Sequence, residues 1–351
     1  MIATKSSVEF ALPRALEATE PPEERGRGRD DVRLLVSNRS SGKIGHHRFS
    51  DLPALLRPGD LLVFNRSATL NAALEATTGS QPAVVHVARR LSDAEWIVEL
   101  RHAEPDSLRT TPWLDAHAGT EIALRGGGRA NLLRPAVDAD AVRLWVAELT
   151  LGLSADEYLR RWGRPIVYGH ITKSRPLSAY QTVFADVPGS AEMPSAARPF
   201  TTELVTRLVV KGVDLAPIVL HCGVSSLEAH ERPQPEPFEV PPDTAQRVNA
   251  AIRVGGRVIA VGTTCVRALE SSAVGPGLVL PTSGLTNLVV DPAYTPRVTT
   301  GLLTGWHEPL ASHLAMVEAF AGRRLLEASY QAALEAGYLW HEFGDSHLIL
   351  P

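Results

Sequence analysis

After residue 150 the chain alternates between apolar strand-like runs and segments of helical period. That order constrains the fold more than any other feature, because strands alternating with helices build α/β layers. Residues 201–211 predict a helix with Leu204, Leu208 and Val209 on one face and Gly212 just past its end. Residues 216–221 read as an apolar strand. Asp243 and Gln246 predict a capping-box start for a helix with Val248 and Ile252 inward and Gly255 closing it. Residues 257–261 predict a strand and 264–271 a helix; 309–320 and 323–337 predict two more helices. Upstream, 33–37 and the continuous apolar run 61–64 are strand candidates.

Between about 75 and 150 the pattern differs. Short β-type runs at 84–87, 96–100, 121–124 and 142–149 are separated by turn clusters, with no helical period. This predicts a small antiparallel β domain, a barrel or sandwich. Gly126-Gly127-Gly128 lacks the strand–GxxxxGK[ST]–helix context of a phosphate loop and reads as a hairpin turn. The expected organisation is an α/β domain of residues 1–74 and 151–351, with a β domain of residues 75–150 inserted. Residues 20–31 (EPPEERGRGRDD) read as a solvated, mobile loop.

A length of 351 residues suits two domains. Thirty-five basic against 39 acidic side chains leave a net charge of −4, which argues against a chain coated in positive charge but allows a local basic patch. Two cysteines, Cys222 and Cys265, without a CxxC pair fit a reducing cytoplasm. Neither a signal peptide nor a membrane-length apolar run is read. His46-His47 has no partner at ligand spacing, and His341-Glu342 lacks the second histidine of HExxH, so no metal is expected.

Four segments carry chemistry. Val258 to Arg267 runs from a buried strand through Gly262, Thr263 and Thr264 into a helix, with Arg267 and Glu270 on its first turns. Such a turn offers N–H donors to an anion or carboxylate; the plainer reading makes Thr263 or Thr264 a helix cap. His221 ends an apolar strand before Gly223, a position open to a site residue and also to a buried structural histidine. His307 precedes a helix in Thr304-Gly305-Trp306-His307-Glu308-Pro309. Asp345, in Phe343-Gly344-Asp345, reads by itself as a turn residue. Cys265 stands near a helix start, where thiol pKa values fall, yet reads as a small buried residue.

These blocks, together with Leu56-Arg57-Pro58-Gly59-Asp60-Leu61-Leu62-Val63-Phe64-Asn65, Tyr180-Gln181-Thr182-Val183-Phe184-Ala185 and Ala319-Phe320-Ala321-Gly322, resemble the S-adenosylmethionine:tRNA ribosyltransferase-isomerase family of queuosine biosynthesis nearly end to end. The resemblance implies a large, barrel-like α/β domain with an inserted small antiparallel β-barrel. It also implies transfer and isomerisation of the ribosyl part of S-adenosylmethionine onto 7-aminomethyl-7-deazaguanine in tRNA, giving epoxyqueuosine, adenine and methionine. Such chemistry needs a base beside the sulfonium, a donor for departing adenine and groups orienting the acceptor amine. His221, His307 and Asp345 are the expected catalytic groups. Gly262, Thr263, Thr264, Arg267 and Glu270 are expected at the cofactor, which is a co-substrate, and Tyr180, Gln181, Thr182 and Ser195 around the substrate.

Several family blocks are altered here. The proline–threonine–alanine–glycine–leucine–histidine–phenylalanine block reads Pro194-Ser195-Ala196-Ala197-Arg198-Pro199-Phe200, and methionine–histidine–serine–glutamate reads Pro233-Gln234-Pro235-Glu236. Two family histidines are thus replaced, and a glycine is replaced by Ser225. Three readings follow: the family enzyme, with tRNA as partner; a divergent enzyme using S-adenosylmethionine with a non-tRNA acceptor or simply cleaving it; and a non-catalytic binding protein. The first is preferred, and a cytoplasmic monomer is expected.

Overall fold

The computed structural model describes residues 6, 8–104, 107–136, 142–225, 234–309 and 311–351. The chain opens with strands β1 (Arg33–Asn38), β2 (Ile44–Arg48) and β3 (Leu61–Asn65), with the one-turn helix α1 (Leu52–Leu55) before β3. A short β4 (Ser67–Thr69) leads into a run of strands: β5 (Ala73–Thr78), β6 (Gln81–Arg90), β7 (Glu95–Ala103), β8 (Thr110–Pro112), β9 (Glu121–Leu124), β10 (Arg129–Pro135) and β11 (Leu144–Thr150). Helix α2 (Ala155–Trp162), β12 (Gly163–Arg164) and β13 (Val187–Ser190) follow. Then come α3 (Thr202–Val210), β14 (Asp214–Leu220), β15 (Glu236–Val240), α4 (Pro242–Arg253), β16 (Val258–Val261) and α5 (Thr263–Ser271). The chain ends with β17 (Ala273–Gly275), β18 (Leu278–Val279), β19 (Thr282–Thr286), β20 (Gly301–Gly305), α6 (Ser312–Ala321), α7 (Arg323–Glu335) and β21 (Ser346–Leu350).

Nine strands form one sheet in the order β19-β15-β14-β3-β16-β20-β21-β1-β2. Its centre, β14-β3-β16-β20, is parallel, so those four strands end along one edge. Parallel strands covered on both faces need continuous apolar sequence, and all four residues of β16, Val-Ile-Ala-Val, are buried. At the opposite edge the fully buried Asp60 receives Arg257 and the Arg57 amide, joining the entries to β3 and β16. The fold class is the α/β one read from the sequence, with an antiparallel barrel. In the barrel β11-β10-β9-β5-β6-β7 closes through β7–β11 pairing; β8 extends from β7, and β12 pairs with β5. Gly126–Gly128 is the β9–β10 hairpin turn, with the Leu124 amide donating to the Gly128 carbonyl. Inside the barrel, Glu99 accepts from His86, Arg101 and Arg143 at 2.7 to 2.9 Å, all four side chains buried.

Four local expectations differ from the structure. Val209, expected on one face with Leu204 and Leu208, points to solvent while those two are buried, because it lies a further 100° round α3 from Leu208. Residues 20–31 form an ordered strap in which Glu23 pairs with buried Arg198, Glu24 with buried Arg175, and Arg25 with the Phe343 carbonyl. Buried arginines on the body give those acids fixed partners, and Pro22 is itself buried. Asp243 does not cap α4: the N-cap is Pro241, and Asp243, already in the first turn, pairs with Arg247. The helix expected from Pro309 begins at Ser312; Leu310 lies outside the described residues.

Candidate active site

The ends of β14, β16 and β20 open into a cleft of about 890 Å³, faced across by the stretches 166–172 and 191–196. Gly262, Thr263, Thr264, Arg267, Ser195, Tyr180 and His307 all line it. Gly262 is the N-cap of α5 at φ +94°, a conformation costly for other residues, and an added Cβ would lie 3.3 Å from Ala196. Neither Thr263 nor Thr264 caps the helix. Thr264 Oγ1 instead receives Asn65 Nδ2 at 3.3 Å. The same amide nitrogen donates to the Leu220 carbonyl at 2.7 Å, so one buried asparagine sets the ends of β3, β14 and α5. The first N–H groups of α5 face the cleft end of the helix, the geometry that suits a carboxylate.

Arg267 is largely engaged by the protein. It donates to Glu236 and to the carbonyls of Leu288, Thr286 and Gln234. Four of the five guanidinium N–H groups are thereby used. Glu236 also accepts the Gly223 amide at 2.8 Å, and burial raises its pKa.

His307 Nε2 lies 2.9 Å from Thr304 Oγ1, and its carbonyl accepts Trp340 Nε1. Burial, reinforced by neighbouring His313, holds its pKa well below the ordinary value, so the ring is neutral at physiological pH. His221 stands behind the cleft wall rather than lining it. Its Nδ1 is 2.7 Å from Ser67 Oγ, which is 2.7 Å from Ser190 Oγ. Ser190 accepts the Cys222 amide at 2.9 Å. The donor order that uses each hydroxyl proton once ends on Nδ1 and assigns the proton to Nε2. Gly189 is required here: an added Cβ would lie 2.4 Å from the His221 ring.

Other expected site residues support the fold around the cleft without lining it. Asp345 accepts the amides of Arg33 and Leu339 and the Arg33 guanidinium, fastening β1 to the C-terminal turn. Glu270, fully buried, accepts the amides of Arg297, Val298 and Thr299 and the Tyr294 hydroxyl. Gln181 makes a two-way bond with the Thr69 backbone, at 2.9 and 2.8 Å, and Thr69 lines the cleft. Thr182 Oγ1 accepts the Phe184 amide. Cys265 is buried, and burial pushes its thiol up.

Sequence reasoning missed three contributors. Glu192 accepts from the Tyr168 hydroxyl and from both the amide and the hydroxyl of Ser225. His170 and His341 stack at 3.9 Å, and His170 bonds Glu342 at 2.9 Å. Among the described residues His341 is the one non-glycine at positive φ, +73°. The third is Glu236 as partner of Arg267. Only Glu236 had a signal, its place in a family block. No group of metal-binding side chains occurs among the described residues, and no helix is long and apolar enough to cross a membrane.

Fold and cleft define an α/β protein with a barrel beside the carboxyl edge of its main sheet, where such sheets take ligands. The chain belongs to the queuosine biosynthesis protein family, whose model matches residues 5–349. It is 37% identical to an S-adenosylmethionine:tRNA ribosyltransferase-isomerase of Thermus thermophilus, over 96% of this chain and 95% of that protein. It is 33% identical to the protein of that name from Carboxydothermus hydrogenoformans, over 97% and 98%. The crystal structure of an S-adenosylmethionine tRNA ribosyltransferase from Thermotoga maritima matches with a TM-score of 0.54 at 28% identity, covering 98% of this chain and all of that one.

Proposed function

We propose that the protein transfers and isomerises the ribosyl part of S-adenosylmethionine onto a 7-aminomethyl-7-deazaguanine in tRNA, releasing adenine and methionine. The observation that carries this is full-length family membership with relatives of that name. In this reading S-adenosylmethionine is a substrate, with its carboxylate at the N-terminus of α5 by Thr263 and Thr264. His307, neutral and beside Thr304, is suited to accept the proton removed next to the sulfonium. His221 acts through Ser67 as a positioning residue, and Tyr180 and Ser195 face the bases. Asp345, Glu270, Gln181 and Thr182 hold the walls. Residues 1–74 and 151–351 would be the catalytic domain and 75–150 an inserted one; a cytoplasmic monomer acting on tRNA completes the proposal.

A second reading, cleavage of S-adenosylmethionine or transfer to a non-tRNA acceptor, is favoured by Gln234 lining the cleft at a position where the family resemblance expects histidine. The pure protein is incubated with S-adenosylmethionine, with and without tRNA carrying the deazaguanine base, and adenine is followed by chromatography. Release that requires the tRNA supports the first reading; release without it supports the second.

A further inference from the structure

Two carboxylates hold the segment that leaves β14. Glu236 accepts the Gly223 amide and Glu192 the Ser225 amide, two residues on. Their surroundings differ. Glu236 has Arg267 against it. Among the described residues the donors to Glu192 are neutral: the Tyr168 hydroxyl, the Ser225 amide at 2.7 Å and the Ser225 hydroxyl at 2.5 Å. Another acid, Glu99, acts on it and disfavours its charge, and among the described residues no ion pair is formed by Glu192. A largely enclosed carboxylate with no cation among its described neighbours is costly, and it is relieved either by a proton or by a positive ligand. Burial duly pushes the Glu192 carboxyl up to about 7.

The three donors also fix the group in place. A carboxylate offers about four acceptor positions. Tyr168 and the Ser225 amide occupy Oε1, and the Ser225 hydroxyl one position of Oε2, which leaves Oε2 able to accept once more. Glu192, Tyr168 and Ser225 all line the cleft.

We propose that Glu192 is a cation-recognition residue of the cleft, a carboxylate preset by Tyr168 and Ser225 to receive a positive group of S-adenosylmethionine. This deepens the proposed function and rests on it. The cofactor carries two cations, the sulfonium and the α-ammonium, and either carries the charge complementary to Glu192.

The test compares wild type with Glu192→Gln by calorimetric titration near pH 8, each with and without bulk tRNA. Three probes are used: S-adenosylmethionine, S-adenosylhomocysteine, which keeps only the ammonium, and methylthioadenosine, which has neither cation. Removing a buried charge partner is expected to weaken S-adenosylmethionine about tenfold or more, with methylthioadenosine unchanged. S-adenosylhomocysteine weakened in parallel identifies the ammonium; if it is unchanged, the sulfonium is the group recognised. Thermal melts of Glu192→Gln beside wild type control for folding. Equal weakening of S-adenosylmethionine and methylthioadenosine, or no weakening, overturns the role of Glu192 alone. A wild-type protein that binds none of the three overturns the proposed function, and this inference with it.

Discussion

Arg267 on α5 and Glu236 on β15 form an ion pair at the cleft wall, with side chains 7% and 14% exposed. The family resemblance places Arg267 at the cofactor; it lines the cleft, and most of its donors are held by the protein itself. Arg267→Ala is therefore expected to destabilise the fold by about 3–5 kcal/mol, because Glu236 would remain buried without its counter-ion. Denaturant unfolding checks this. A stable Arg267→Ala protein that had lost only cofactor affinity would assign the arginine to the ligand.

His307 should matter to the chemistry rather than to stability. Replacing it with alanine is expected to lower turnover by about 10²- to 10⁴-fold, the usual contribution of a positioned acid or base. Since burial holds its pKa well below 6.5, the pH dependence of kcat/KM should show no His307 ionisation between about pH 6 and 8. An inflection in that range that disappears in His307→Gln would contradict the assignment.

The barrel carries its own pH signature. Burial acts to raise Glu99, but His86, Arg101 and Arg143 outweigh it and bring the carboxyl down to about 2, against an ordinary 4.5. A depressed acid stabilises the fold above its unfolded pKa and loses that contribution as pH falls through the folded one. Stability should thus decline between about pH 4.5 and 2, by about 3 kcal/mol from this group. Thermal melts in that range should show a shallower slope for Glu99→Gln, which is also less stable at pH 7 because Arg101 and Arg143 lose their shared anion.

The strap over residues 20–31 is expected to resist proteolysis in the native protein. Glu23→Gln with Glu24→Gln removes the anions facing Arg198 and Arg175, both 3% exposed at the side chain. Limited trypsin digestion should then cut at Arg25 or Arg27, where the unaltered chain is protected.

The contrast between strap and sheet shows what the sequence could convey. Strand β16 and helix α5 were readable because burial on both faces writes a continuous apolar run, and helical packing writes a 3.6-residue period. The strap was read as solvated because its charges find partners on Arg175 and Arg198, about 150 or more residues away, and local composition carries no trace of that. The same holds for the site. Gly262-Thr263-Thr264 and His307 stood out because strand-to-helix turns are local. Asp345 and Glu270 stood out too, yet each is enclosed by backbone amides that only the folded chain brings near. Glu192 gave no local signal, since its meaning depends on Tyr168 and Ser225 reaching it from separate segments.

Movement of a ribosyl group from S-adenosylmethionine to tRNA is tested with cofactor labelled in the ribose, incubated with tRNA carrying the deazaguanine base, followed by separation of RNA from small molecules. Label entering the RNA in step with adenine release is the predicted result. Adenine release with all label left among the small molecules would contradict it and turn the assignment to cleavage or a different acceptor.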